Sequence, residues 1–390
     1  MILVEEAIKI LRKVPAKPEI EEVSISLALN RILGQDIVSK IDMPPFNKSA
    51  MDGYAFHSSD SSDEFQIVEV ISAGIVPTKK IQKGQCVKIM TGGIVPSGAN
   101  RVIKKEVTVE EEGFMRIVGE DKNFNICYQG EDVKIGDVVM KKGVIIRPQE
   151  IGVIASMGMA SLKVYKRPEV GIIATGSELV EPGNPLQQGQ IYNSNAFSLA
   201  AQVIQSGTLV KSRETVLDTK KEIRRAIEKS LDACDMVIIS GGVSAGEFDY
   251  VPNILKELGV QLHFEKIAII PGKPTVFGTR GENIVFGVPG NPVSSFVIFE
   301  IFIKPFLFKM MGHNFHPKTI KGVMKEKFHR QKIERSAYIP IRYQEGFVEL
   351  LTYHGSAHIN ALSQANGLIS VARGVKEIPA GSTVNVRPIQ

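Results

Sequence analysis

Acids and small polar residues follow apolar runs at three places between Pro168 and Gly312. Glu178 comes after Val170-Gly171-Ile172-Ile173-Ala174 and the turn Thr175-Gly176-Ser177. Asp249 closes Ser240-Gly241-Gly242-Val243-Ser244-Ala245-Gly246-Glu247-Phe248, which follows Met236-Val237-Ile238-Ile239. Pro289-Gly290-Asn291-Pro292 follows Ile284-Val285-Phe286-Gly287-Val288. In an open α/β sheet such turns gather at the carboxyl ends of the strands, where ligands bind. Turns that open helices also aim N–H groups and a positive dipole end at an anion. Carboxylates near phosphates act through Mg²⁺, which takes one or two protein carboxylates plus waters and substrate oxygens. The pattern points to a phosphorylated substrate held with a divalent cation.

Each piece has a plainer account when taken alone. The loop over 240–249 is no P-loop, because Glu247 stands where that motif needs Lys, and its glycines do not match G-x-G-x-x-G. It therefore speaks against a nucleoside-triphosphatase and is equally a tight strand-to-helix connection. Glu178 by itself is a first-turn acid, and Asp218 the cap of a helix over 219–233. Pro271-Gly272-Lys273-Pro274 follows Glu265-Lys266-Ile267-Ala268-Ile269, which alternates as a strand. Two prolines hold Lys273 in place, which suits a cation set against an oxyanion; ordinary turn chemistry is the alternative. The stretch Met43-Pro44-Pro45-Phe46-Asn47-Lys48-Ser49-Ala50-Met51-Asp52-Gly53-Tyr54-Ala55 fits no regular element and has the makeup of a binding loop. Met90-Thr91-Gly92-Gly93 and Gln129-Gly130-Glu131-Asp132 are turns by composition.

The elements that must position these residues separate into four regions. Residues 1–36 start with an amphipathic helix, stop at Pro15 and Pro18, and alternate as a strand through Val23-Ser24-Ile25-Ser26-Leu27. With residues 138–165 they form one region discontinuous in sequence. Residues 37–137, rich in Gly, Pro and β-branched residues, form an all-β insertion. Residues 166–314 alternate strand and helix, the pattern of a doubly wound, mostly parallel sheet. There, Ile223, Ala226, Ile227, Ser230 and Leu231 share one stripe of the helix over 219–233. A second helix over 251–258 has Pro252 in its first turn and Gly259 past its end. A third over 292–311 starts from Asn291 and Pro292 and is expected to kink at Pro305. Residues 315–390 form a small barrel-like β domain, so the fold class is multidomain α/β plus β.

A chain of 390 residues holds two to four domains. A net charge of +5 suits anionic ligands, yet the basic residues occur only in pairs such as Lys79-Lys80, which argues against nucleic acid. Cys86, Cys127 and Cys234 are odd in number and far apart, as in a reducing cytosol, without a disulfide framework or zinc site. The most apolar stretch, over 293–311, carries Glu300, Lys304, Pro305 and Lys309, so it is a core helix and not a membrane span.

Taken in order, Pro-Pro-Phe-x-x-Ser-Ala-Met-Asp-Gly-Tyr-Ala, Met-Thr-Gly, Gly-Glu-Asp, Ala-Thr-Gly-Ser-Glu-Leu, Ser-Gly-Gly-Val-Ser-x-Gly-Glu-x-Asp-Tyr, Pro-Gly-Lys-Pro and Gly-Val-Pro-Gly-Asn-Pro-Val-Ser resemble one family across nearly the whole chain. That family is the molybdopterin molybdenumtransferases, including MoeA proteins and the C-terminal domain of gephyrin. The resemblance implies a molybdopterin-binding α/β domain over 166–314 and insertion of molybdate into adenylylated molybdopterin, with Mg²⁺-assisted release of AMP. It implies catalytic roles for Asp52, Asp132, Glu178, Asp218, Asp249 and Lys266. Substrate binding falls to Thr91, Ser240, Gly241, Gly242, Ser244, Lys273, Pro289, Gly290, Asn291 and Pro292, and the metal to Glu178 and Asp249. For Asp218 and Asp132 the resemblance replaces cap and turn by a functional role. It further implies a cytoplasmic homodimer whose site is shared, with Asp52 and Asp132 facing the partner subunit's α/β domain, and an upstream adenylyltransferase as supplier. In two places the chain departs from the family. Ile270 stands where a second lysine is usual, and Pro340 where an arginine usually closes the motif that begins at Arg335. Both remove positive charge expected near the oxyanion, with Arg342 as the nearest substitute. They define the alternative reading, a molybdopterin-nucleotide scaffold or a tungstate-preferring enzyme.

Overall fold

The computed structural model describes residues 1–243, 250–351 and 359–389. Two units divide the chain: residues 1–34, 143–147 and 161–390 form one, and residues 35–142 with 148–160 the other.

In the first unit, six strands form a sheet in the order Leu209–Val216, Glu169–Thr175, Met236–Ser240, Asn283–Val288, Val276–Arg280, Gln261–Phe264. The first four are mutually parallel, while Val276–Arg280 runs antiparallel to both its neighbours. Successive residues of a strand point to opposite faces, and both faces here are apolar. Ile172, Ile238 and Phe286 pack with Leu199 and Val203 of the helix Ser194–Gln205. On the other face Ile173, Ile239 and Val285 pack with Ile223 and Ile227 of Lys220–Ala233 and Ile254 of Val251–Glu257. A sheet covered on both sides explains why its strands show as unbroken apolar runs. The chain passes from Glu169–Thr175 to one neighbour and then to the other, so the topology reverses at that strand. At such a switch point a crevice opens beyond the carboxyl ends.

The expected helix over 292–311 exists as Pro292–Ile298, a π-helical Phe299–Ile303 and Lys304–Met310. Pro305 lacks the N–H that would bond one turn back, and the irregularity falls on the turn before it. Farther along, Ser336–Gln344, Phe347–Leu350, Ile320–Met324, Thr383–Pro388 and Gly367–Val371 pair in that order, and the first pairs with the last. The result is a closed barrel around Met324, Ile341, Val348, Ile369 and Val386.

Two strand expectations need correction. The N-terminal strand is Ile20–Ser24, paired with Ser161–Tyr165, and Ile25–Leu27 turns into a 3₁₀ helix. Within Glu265–Ile269 only Ile269 is strand, as Ile269–Ile270 beside the barrel strand Ser336–Gln344. Ile267 makes a single bridge to Ile2, because there the partner available is one residue long.

The second unit is built on a mixed six-stranded sheet that includes Gly53–Phe56, Phe65–Ile71 and Gln85–Ile89. Tyr54, Cys86 and Ile103 enter one cluster, while their neighbours Ala55, Val87 and Val102 enter another. This sheet too is buried on both faces.

Candidate active site

The switch point carries a cleft of about 660 Å³, a volume in the range of small-molecule sites. Ala174 and Ser240 are register partners on adjacent parallel strands, so their loops leave side by side. Lining the cleft are Thr175, which ends the strand Glu169–Thr175, and Glu178 beyond it, Ser240, which ends Met236–Ser240, and Gly242 beyond it, and Pro289, Gly290, Asn291 and Pro292. Asn193 and Asn195 join them at the start of the helix Ser194–Gln205, together with Pro274.

Close backbone packing shapes this floor. Gly241 has φ +98°, donates its N–H to Val288 O at 3.1 Å, and leaves no room for a Cβ, which would meet Thr175 O at 2.4 Å. Only glycine allows both the dihedral and the approach. Gly176 matters for a different reason. A Cβ there would lie 2.7–2.9 Å from the Glu178 carboxylate, so the missing side chain lets that exposed carboxylate fold back over the turn.

Asp218 is not the helix cap. Thr219 takes that place, with its hydroxyl accepting from Glu222 N at 3.4 Å in an extended conformation. Asp218 instead accepts a 2.6 Å hydrogen bond from the buried Thr175 Oγ1, and its own N–H donates to Ser177 Oγ at 3.3 Å. One acid thereby ties together the loops that end two neighbouring strands. Asn291 precedes Pro292 in extended conformation, and its carbonyl accepts from Ser295 N at 3.0 Å.

Lys273 is exposed beside Pro274, on a turn held by the fully buried Thr275, whose hydroxyl donates to Gly272 O at 2.7 Å. Lys266 is exposed as well. Neither lysine is among the residues lining the cleft. Of the sequence-derived site residues, Glu178, Ser240, Gly241, Gly242, Pro289, Gly290, Asn291 and Pro292 come together with Asp218 at this crevice. Ser244 and Asp249 lie outside the described residues. Sequence reasoning did not single out Thr175, Asn193 or Asn195, although two asparagines flanking a serine at a helix start were the available signal.

A separate constellation occupies the second unit. Asp52 Oδ1 accepts from both Thr91 N and Thr91 Oγ1 at 2.8 Å, and Lys105 Nζ lies 3.6 Å from Oδ2. The Thr91 backbone N–H, then its hydroxyl, hold the Asp52 carboxyl below the usual carboxylate range, with Lys105 adding to the effect. Asp132 is exposed on a turn whose N–H donates to Met43 O at 3.1 Å. No direct contact joins Asp132 to Asp52 among the described residues.

Regarding a cation, no group of three or more His, Cys, Asp or Glu side chains comes together among the described residues. At the positions of the family departures, Ile270 pairs with Ala337, and Pro340 is a barrel strand residue opposite Leu368. Arg342 is engaged by Gln364 at 3.1 Å and Glu349 at 3.8 Å.

The sheet, its switch-point crevice and the closed barrel define a multidomain α/β plus β protein with a cleft of small-molecule size beyond its strand ends. Three family models match in chain order: MoeA N-terminal region (domain I and II) over residues 2–158, probable molybdopterin binding domain over 171–309, and MoeA C-terminal region (domain IV) over 321–389. Among similar proteins, a molybdopterin molybdenumtransferase of Staphylococcus epidermidis is 36% identical, over 99% of this chain and 95% of its own. One from Staphylococcus aureus is 35% identical with the same coverage. The solved molybdopterin biosynthesis moeA protein of Pyrococcus horikoshii OT3 superposes with a TM-score of 0.88 at 30% identity, with all of both chains covered. The chain belongs to the molybdopterin molybdenumtransferase family.

Proposed function

We propose that this protein acts in molybdenum cofactor biosynthesis as a molybdopterin molybdenumtransferase, inserting molybdate into adenylylated molybdopterin with Mg²⁺-dependent release of AMP. Family membership over 99% of the chain supports the transferase class. The observation that carries the reading to this site is the crevice where Glu178, Ser240 and the Pro289–Pro292 turn converge. Glu178, with Asp249, would hold Mg²⁺; bound there, the ion would neutralise charge on the nucleotide phosphates. Ser240 and the backbone of Gly241 and Gly242 cradle the phosphorylated end, and Asp218 fixes Thr175 behind them. Lys266 and Lys273 supply positive charge for the oxyanion. Cleavage of the adenylate is then chiefly positioning and charge neutralisation.

The resemblance also supports a cytoplasmic homodimer in which Asp52 and Asp132 of one subunit serve the α/β domain of the other, with an upstream adenylyltransferase delivering substrate. No helix among the described residues is long and apolar enough to cross a membrane.

The test is AMP release from purified protein with adenylylated molybdopterin and Mg²⁺, titrated with molybdate and separately with tungstate. Saturable, oxyanion-dependent release is expected, with molybdate the better substrate. Tight binding of the pterin nucleotide without release would favour the scaffold reading, for which Ile270 and Pro340 are the specific observations.

A further inference from the structure

The side chain of Asn195 joins two turns of the cleft. It is held on a rigid support: Asn193 caps the helix Ser194–Gln205 by accepting from Ala196 N at 3.1 Å, and its Nδ2 donates to Thr215 Oγ1 at 2.8 Å. Two residues on, Asn195 Nδ2 donates to Ser240 Oγ at 2.8 Å and to Gly290 O at 2.7 Å. A carbonyl can only accept, so Gly290 O dictates which way the amide faces. The NH₂ group must meet the two oxygens, and Oδ1 must turn away. Oδ1 is buried without a hydrogen-bond partner among the described residues. An unpaired buried acceptor opposes folding, so the two donated bonds carry a cost in stability.

The polarity passes on to Ser240. A hydroxyl has one hydrogen, and one that accepts from an amide must direct that hydrogen elsewhere. Ser240 lines the cleft at the end of its strand.

We propose that Asn195 is a positioning residue for the phosphorylated substrate, acting by presenting Ser240 as a hydrogen-bond donor to a phosphate oxygen while it anchors the Pro289–Pro292 turn. This rests on the function proposed above and adds a residue outside the motif set that identified the site. Asn195 touches no reacting atom; it acts through Ser240 and Gly290.

The test is a double-mutant cycle read by binding of adenylylated molybdopterin, with Mg²⁺ and without molybdate, by titration calorimetry on the full chain. Ser240→Ala and Asn195→Ala are each expected to weaken binding about tenfold, the scale of a hydrogen bond to a charged group. The double variant should be no more than slightly weaker than Asn195→Ala, because without the Ser240 hydroxyl the amide has no donor left to orient. Weakening of about a hundredfold in the double variant would show two independent contacts and overturn the proposal. Unchanged binding in Asn195→Ala, with only its unfolding midpoint lowered, would reduce the residue to a structural tie and also overturn it. Asn195→Asp carries the test if the alanine variant does not fold. It keeps the shape but presents acceptors to both Ser240 and Gly290 O and adds a negative charge, so binding should fall at least as far as in Ser240→Ala; binding at the parental level would overturn the proposal. A parent protein that does not bind adenylylated molybdopterin would overturn the proposed function itself, a result distinct from a parent that binds and is indifferent to Asn195.

Discussion

Asp52 is held below the usual carboxylate range because a single residue, Thr91, donates to it twice, from backbone and hydroxyl. Both bonds favour the carboxylate, and both are lost on unfolding, so the folded pKa lies below the unfolded one. The sign follows: the favourable contribution is present above the unfolded pKa and fades as pH falls through the folded value. The side chain is exposed, so the consequence for stability is small, but the charge itself is what a site would use. Thr91→Val keeps the backbone donor and removes the hydroxyl. The Asp52 titration midpoint, followed by carboxyl NMR, should rise in this variant, and the acid limb of AMP release should move to higher pH with it. A midpoint that stays put would mean that the hydroxyl bond does not set the charge. At this scale sequence composition left Thr91 as a turn residue and Asp132 likewise; only the order of motifs gave them roles.

At the scale of elements, much of the fold was legible because strand and helix periods differ. Met236–Ser240 and Asn283–Val288 were plain as apolar runs, and the stripe from Ile223 to Leu231 faced the sheet as its spacing required. What stayed hidden depended on which elements meet. Asp218 sits beside a helix start, where a cap is the usual role, yet Thr219 caps and Asp218 reaches across to Thr175. That bond requires the parallel pairing of Glu169–Thr175 with Leu209–Val216, which no local pattern encodes. Lys266-Ile267-Ala268-Ile269 likewise alternates, but the strand starts only at Ile269, where the barrel offers an edge. The same strand-end packing makes Gly241 a sensitive position. A Cβ there would need both a left-handed backbone and a shift of the Thr175 carbonyl, which is main chain and cannot swing aside. Gly241→Ala should lower unfolding free energy by about 2 kcal/mol or more, the scale of backbone strain plus a steric misfit. Gly74, with φ +86° and open space around it, isolates the dihedral term, so Gly74→Ala should cost about 1 kcal/mol. Denaturant unfolding of the pair checks the difference; equal losses would show that the Thr175 contact yields easily.

The whole molecule places its proposed site residues in two separate units, and the function proposed for them needs both. Glu178 and Asp218 belong to the unit of the parallel sheet, Asp52, Thr91 and Asp132 to the other. If one subunit's Asp52 serves the other subunit's cleft, each site of a two-fold dimer is assembled from two chains. That arrangement has a consequence no single-chain site shares. Asp52→Ala and Glu178→Ala should each abolish AMP release when prepared alone. Mixed in equal amounts and allowed to exchange subunits, half of the dimers become hybrids. Within each hybrid, one site carries both lesions and the other carries neither. About a quarter of the parental sites should therefore regain activity, if the two chains associate at random. The recovery should depend on exchange, appearing with incubation and vanishing when the variants are cross-linked before mixing. A mixture that stays inactive after exchange has been verified by mass would place Asp52 and Glu178 in the same chain's site. Immediate full additivity of two partly active variants would show that neither acid is essential. The outcome separates a shared site from a self-contained one without requiring a structure of the dimer.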